Sequence, residues 1–192
     1  MKEGDRSTNH IRIRNAIYRP SSFIVFAILL FYSCTPISGI PVSSKEQYIE
    51  DVPFYQQETY QCGPAALAGV LNYWGINVKP QEIAEEIFST SARGTLNIDM
   101  VLYAQKKGLK AQYYRGDRED IKRKISDGFP LIVLVDFGFM VYQVNHFMVI
   151  IGFNEHGVVV NSGKYQGRLL SWRKFKTAWE KTDFWTLFIA PE

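Results

Sequence analysis

Gln56-Gln57-Glu58-Thr59-Tyr60-Gln61-Cys62-Gly63-Pro64-Ala65-Ala66-Leu67 is the stretch on which the reading of this chain turns. It sets a thiol at the head of an apolar helical pattern. Leu67, Val70, Leu71 and Trp74 recur at spacings of three and four, which predicts a helix over 63–74. Pro64 suits the first helical turn, where a missing N–H leaves no bond unmade, and Gly75 ends the pattern. A cysteine at this point lies beside free backbone N–H groups and the positive end of the helix dipole. Both favour the thiolate, which is the nucleophilic form. Gly63 is read as leaving space beside the sulfur for a substrate backbone. A lone cysteine is most often a buried structural residue, but the Gln-rich approach and the Cys-Gly-Pro start point to chemistry at Cys62.

Outward from this helix the patterns stay regular. Pro80 opens a second helix over 80–88, and Asn97 is read as the cap of a third over 97–107, closed by Gly108. A strand is expected over 109–114. A charged helix follows over 117–127, with Asp117 at its start and Gly128 at its end. Then the character changes. Residues 131–135 form a short, fully apolar run of the buried-strand kind, 145–153 a longer one, and 157–161 another, with Asn154-Glu155-His156-Gly157 as the hairpin turn between the last two. Ser171 caps a final helix carrying Trp172, Phe175 and Trp179, and 184–190 is the closing strand. Helices first and antiparallel strands second make an α+β fold with segregated layers.

A nucleophilic thiol needs a base. Of the three histidines, His10 lies in the N-terminal segment and His156 in the expected hairpin turn, where it is exposed to solvent. His146 opens an apolar strand, where an unpartnered imidazole is costly. It is the candidate partner of Cys62. A third group would orient the ring through its second nitrogen. Asn161 ends the next strand and is preferred on chemistry. Ser162 is its competitor, because adjacent strand residues face opposite ways. An oxyanion would take the Cys62 backbone N–H and the amide of Gln56 or Gln57, between which the sequence does not choose.

Val-Pro-Phe-Tyr-Gln-Gln-Glu-Thr-Tyr-Gln-Cys-Gly-Pro-Ala-Ala-Leu (52–67) resembles the nucleophile motif of the papain-like peptidases that remove double-glycine leader peptides from bacteriocins. His-Phe-Met-Val-Ile-Ile-Gly-Phe (146–153) resembles their histidine strand, and 172–179 with 185–188 is similar to their C-terminal end. The chain looks most like stand-alone, lipoprotein-type relatives of that family. The resemblance implies a papain-like fold and a cysteine peptidase acting on a peptide or protein through Cys62 and His146. It also implies a thiolate–imidazolium pair and a Gln as oxyanion donor. Many relatives carry Asp where Ser162 stands here, and the transport domain of the transporter-linked members is absent. Two other functions share these residues: a peptide-binding module without cleavage, and an acyltransferase passing the acyl group to an amine.

The N-terminus reads as an address. Residues 1–22 are basic and polar, and 23–32 form one apolar run. Ten helical residues span about 15 Å against roughly 30 Å of bilayer core, the length of a signal h-region. Ser33-Cys34 follows, and the whole resembles a bacterial lipoprotein signal with Cys34 as the lipidated residue. The expected organisation is a signal segment at 1–34, a Pro/Ser/Gly-rich linker at 35–50 and a papain-like domain at 51–192. The domain is expected outside the cytoplasm, on the periplasmic side or the cell surface, as a monomer held to the membrane by its lipid. The net charge of +3 resides in residues 1–22, leaving seventeen basic and seventeen acidic side chains beyond them. A neutral domain lacks the basic surface that nucleic acid demands. Two cysteines and three histidines fall at no zinc-type spacing, and neither a metal nor a cofactor is expected.

Overall fold

The 63–74 pattern folds as α1 (Cys62–Tyr73), and Gly63 through Leu71 are all buried. A helix buried on every side needs apolar residues all round, which is why Ala65, Ala66 and Ala68 accompany its large side chains. The computed structural model describes residues 46–57, 61–91 and 94–192. The expected signal segment, Cys34 and residues 35–45 of the expected linker lie outside these. Gln47–Tyr48 forms β1 and pairs with the long central strand, so the folded unit begins before Asp51, inside the stretch read as linker.

After α1 come α2 (Pro80–Ile87), a small ribbon of β2 (Phe88–Ser89) and β3 (Gly94–Thr95), and α3 (Asn97–Lys106). Asn97 is the first helical residue and does not act as a side-chain cap; Leu96 holds the cap position without a side-chain bond. Next are β4 (Lys110–Arg115) and α4 (Arg118–Ser126), where the Asp117 carboxylate accepts from the Asp120 N–H at 2.8 Å as its sequence position requires. The rest is β5 (Leu131–Asp136), β6 (Asn145–Phe153), β7 (Gly157–Ser162), β8 (Tyr165–Ser171), α5 (Trp172–Glu180) and β9 (Trp185–Ala190). In the β6–β7 turn, Asn154 Oδ1 accepts from the N–H groups of His156 and Gly157, and His156 stands exposed.

One antiparallel sheet runs β4-β9-β5-β6-β7-β8, with β1 added to β6. All six residues of β5 and of β9 are buried, so both faces of these strands are covered. Helix α1 packs on β6, and α5 packs on β5, β7 and β8. No sequence signal marks β8. Nearly all of it is exposed, so it has no apolar alternation, and pairing with β7 alone makes it a strand. Among the described residues the core runs from Ile49 to Ala190.

One contact ties α1 to the approach segment. A Cβ on Gly69 would sit 2.8 Å from the Pro53 carbonyl oxygen. Gly69→Ala gains about 1 kcal/mol in helix propensity, but a backbone oxygen has no rotamer to turn away, and overpacking costs about 1–3 kcal/mol. The clash wins. Urea unfolding should show a lower midpoint at unchanged m; an equal or higher midpoint would mean that the 53–57 segment yields freely.

Candidate active site

Cys62 is the first residue of α1. Gln61 precedes it at the cap position with no side-chain bond, and the first turn holds no acidic residue. The N–H groups at this end are therefore uncapped by side chains. Burial pushes the Cys62 thiol pKa up, and the neighbouring backbone of Phe147, Gly63 and Cys62 itself pulls it down less strongly. The Phe147 contact locates the sulfur, because Phe147 directly follows His146 in β6.

His146 Nε2 lies 2.9 Å from Ser162 Oγ. The ring is also packed against Phe137, with centroids 6.2 Å apart. Burial lowers its pKa below the ordinary 6.5. The thiol and imidazole are thus both shifted toward their neutral forms, against the expected thiolate–imidazolium pair. The helix-end N–H groups act in the expected direction; desolvation outweighs them.

Asn161 does not orient the imidazole. Its Oδ1 accepts from the Gly167 N–H at 3.0 Å and so fixes the β7–β8 hairpin. The cause is a shift in strand register. In a regular ladder continuing from the Phe153–Val158 pair, Asn161 would oppose Ile150 and share the face of His146. The shift between Ile150 and Gly152 pairs Ile150 with Val160 and Val149 with Asn161 instead. One extra residue on β6 exchanges the faces, and Ser162 turns to the ring.

Gln57 occupies the place where β6 and β7 part. Its backbone N–H donates to the Gly163 carbonyl at 2.9 Å, its Oε1 accepts from the Gly163 N–H at 2.8 Å, and its Nε2 donates to the Phe147 carbonyl at 3.3 Å. One amide therefore joins the approach segment to the strand of His146 and to the turn beside Ser162. Gln56 is exposed. Gly63 leaves no space for a substrate, contrary to the sequence reading. A Cβ there would lie 2.8 Å from Thr95 Cβ and 3.0 Å from its Oγ1, so this glycine admits β3 against the helix start.

Asp136 went unrecognised in the sequence. Its Oδ1 accepts from the N–H groups of Gly138 and Val144, both at 2.7 Å, which holds the carboxyl below its usual range and pins both stems of the loop leading to His146. The available signal was an acid closing an apolar strand just before the loop that returns to the histidine. Among the described residues no group of three or more His, Cys, Asp or Glu side chains is placed to hold a metal.

Residues 49–186 match the model of the Peptidase_C39 like family. A protein of Methanothermobacter thermautotrophicus, described only as uncharacterized, is 32% identical over 111 residues, 58% of this chain and 70% of that protein. Two crystal structures share the fold. A double glycine motif protease from an AMS/PCAT transporter, in complex with its leader peptide, superposes with a TM-score of 0.61 at 24% identity, over 76% of this chain and 94% of that one. The peptidase domain of Streptococcus ComA, a bifunctional ABC transporter of a quorum-sensing pathway, gives 0.60 at 23% identity, over 72% and 97%. These likenesses carry the papain-like, mixed α+β architecture.

Proposed function

This chain belongs to the Peptidase_C39 like family, and from that premise we propose that it is a cysteine peptidase with Cys62 as nucleophile, His146 as base and Ser162 as the residue that holds the base. The observation carrying the reading is the pairing of His146 Nε2 with Ser162 Oγ at 2.9 Å, on the strand whose next residue, Phe147, bears on the Cys62 thiol through its backbone. With Nε2–H donating to Ser162 Oγ, the Nδ1 lone pair is free for the thiol proton. The shifted pKa values describe a resting site with the proton on sulfur and a neutral base ready to take it.

In the reaction His146 removes the Cys62 proton as sulfur attacks the peptide carbonyl. The oxyanion takes the Cys62 backbone N–H and an amide N–H of Gln57, whose Nε2 has a second hydrogen beyond the one given to Phe147. Imidazolium protonates the departing amine, leaving a thioester. His146 then deprotonates a water, which releases the acid and restores the thiol. The substrate is a peptide, as in the solved relative that holds a leader peptide. The setting is outside the cytoplasm, with the domain tethered through Cys34.

The test is hydrolysis of a peptide library, with product termini read by mass spectrometry and the rate followed against pH. New free carboxylates that vanish on alkylation of Cys62 are expected. Because burial lowers His146, the base stays neutral somewhat below pH 6.5, and the acid limb of kcat/KM should fall there. Because burial raises the thiol, alkylation by iodoacetamide should keep climbing toward alkaline pH, above the step set by the imidazole. A rate already at its full value in acid, before the imidazole titrates, would restore the ion pair. Amide products formed only with added amine would mean acyl transfer. Peptide bound but never cut would mean a binding module.

A further inference from the structure

The loop between β5 and β6 carries an exposed apolar tip. Phe139, Met140, Val141 and Tyr142 are 78, 86, 85 and 78% exposed in succession. Exposed single apolar residues are ordinary, but four consecutive ones are not. The tip is built as a tight turn: the Tyr142 N–H donates to the Phe139 carbonyl at 3.1 Å, and Met140 has a positive φ of 54°. Asn or Gly would take that conformation with less strain, yet an apolar side chain stands there. Its base is held by Asp136 as described and by Lys181 Nζ, which donates to the Gly138 carbonyl at 2.5 Å.

Beside this hairpin lies a concentration of positive charge. Arg168, Arg173, Lys174 and Lys181 line one cavity of about 590 Å³ between α5 and the sheet, with Phe137 and Asp136 on its wall. Among the described residues Arg168, Arg173 and Lys174 form no ion pair with a carboxylate. Arg173 and Lys174 also occupy the first turn of α5, which has no acidic residue. Cations at the positive end of a helix are unfavourable alone and call for an external anion.

We infer that the 137–144 hairpin and the adjoining Arg168–Arg173–Lys174–Lys181 cluster form a surface that docks on an anionic lipid bilayer, the tip entering the headgroup–acyl boundary and the cations meeting lipid phosphates. Aromatic and aliphatic side chains on a projecting turn suit that boundary, and basic residues beside them suit its charge. A peptide would find its apolar contacts in a concavity; these four side chains stand out into solvent. No helix among the described residues is long and apolar enough to cross a membrane. This contact stands independently of any anchor at Cys34 and of the peptidase reading.

The experiment is co-sedimentation of the full chain, beside a Cys34→Ser form that removes any lipid anchor, with vesicles of phosphatidylcholine alone or mixed with phosphatidylglycerol. Partition onto the mixed vesicles is expected, weakened by salt. Met140→Asp with Val141→Asp should lower the partition constant by more than about tenfold at an unchanged thermal midpoint, since these side chains are solvent-exposed. Arg173→Glu with Lys174→Glu should abolish the preference for the anionic vesicles. Failure to partition, or partition indifferent to the tip, overturns the inference. So does binding of an acidic apolar peptide through these same residues without vesicle binding, which would make the surface a peptide site.

Discussion

His146→Ala lowers kcat/KM for peptide hydrolysis by about 10²–10⁴-fold, the usual worth of a positioned general base, and Cys62→Ala leaves no turnover above background. The two substitutions separate on a second measurement. In His146→Ala the sulfur keeps its backbone neighbours Phe147 and Gly63, so iodoacetamide still reacts, driven by hydroxide alone. Its pH dependence should become that of a simple raised thiol, whereas the unsubstituted site shows an additional rise as the imidazole loses its proton below pH 6.5. Imidazole added to His146→Ala should restore part of the turnover, because burial beside Phe137 leaves a cavity of the ring's shape. Alkylation rates that coincide in the two proteins at every pH would show that His146 does not serve Cys62, and the peptidase proposal would fall with that result.

Ser162→Ala is expected to cost roughly 5- to 150-fold in kcat/KM. Removing the hydroxyl leaves a buried ring nitrogen without its partner, a loss of about 1–3 kcal/mol, which converts at about 1.4 kcal/mol per tenfold. Ser162→Asp gives the sharper result. A carboxylate beside the imidazole favours the charged ring, so the His146 pKa rises and the acid limb of kcat/KM moves to higher pH. A merely structural role for Ser162 predicts no such movement. Asn161→Ala is the control: it removes the bond to the Gly167 N–H, loosens the β7–β8 hairpin and lowers stability, but leaves the acid limb in place. If instead Asn161→Ala moved the limb and Ser162→Asp did not, the residue facing the ring would be Asn161 after all.

Much of the fold was legible because its signals are local. The Asp117 cap, the Asn154 turn and the apolar runs of β5, β6 and β7 depend on residues within a few positions of each other. Strand β8 was not legible, since an exposed edge carries no apolar period and exists through its partner. At the site, Cys62 and His146 stood out as a thiol at a helix start and an imidazole opening a buried strand. Gln57 did not stand out from Gln56, because what distinguishes it is a set of bonds to Phe147 and Gly163, 90 and 106 residues away.

The residues alone determined that a thiol would begin an apolar helix and that a histidine would open an apolar strand, since chain spacing decides both. Tertiary structure decided the rest. The register shift near Ile151 turned Ser162 rather than Asn161 to the ring, Thr95 filled the space at Gly63, and packing drove both titrations toward neutrality. Register and burial are sums over distant neighbours. A shift of one residue reverses a strand's faces, and desolvation appears only once the groups that exclude water have assembled.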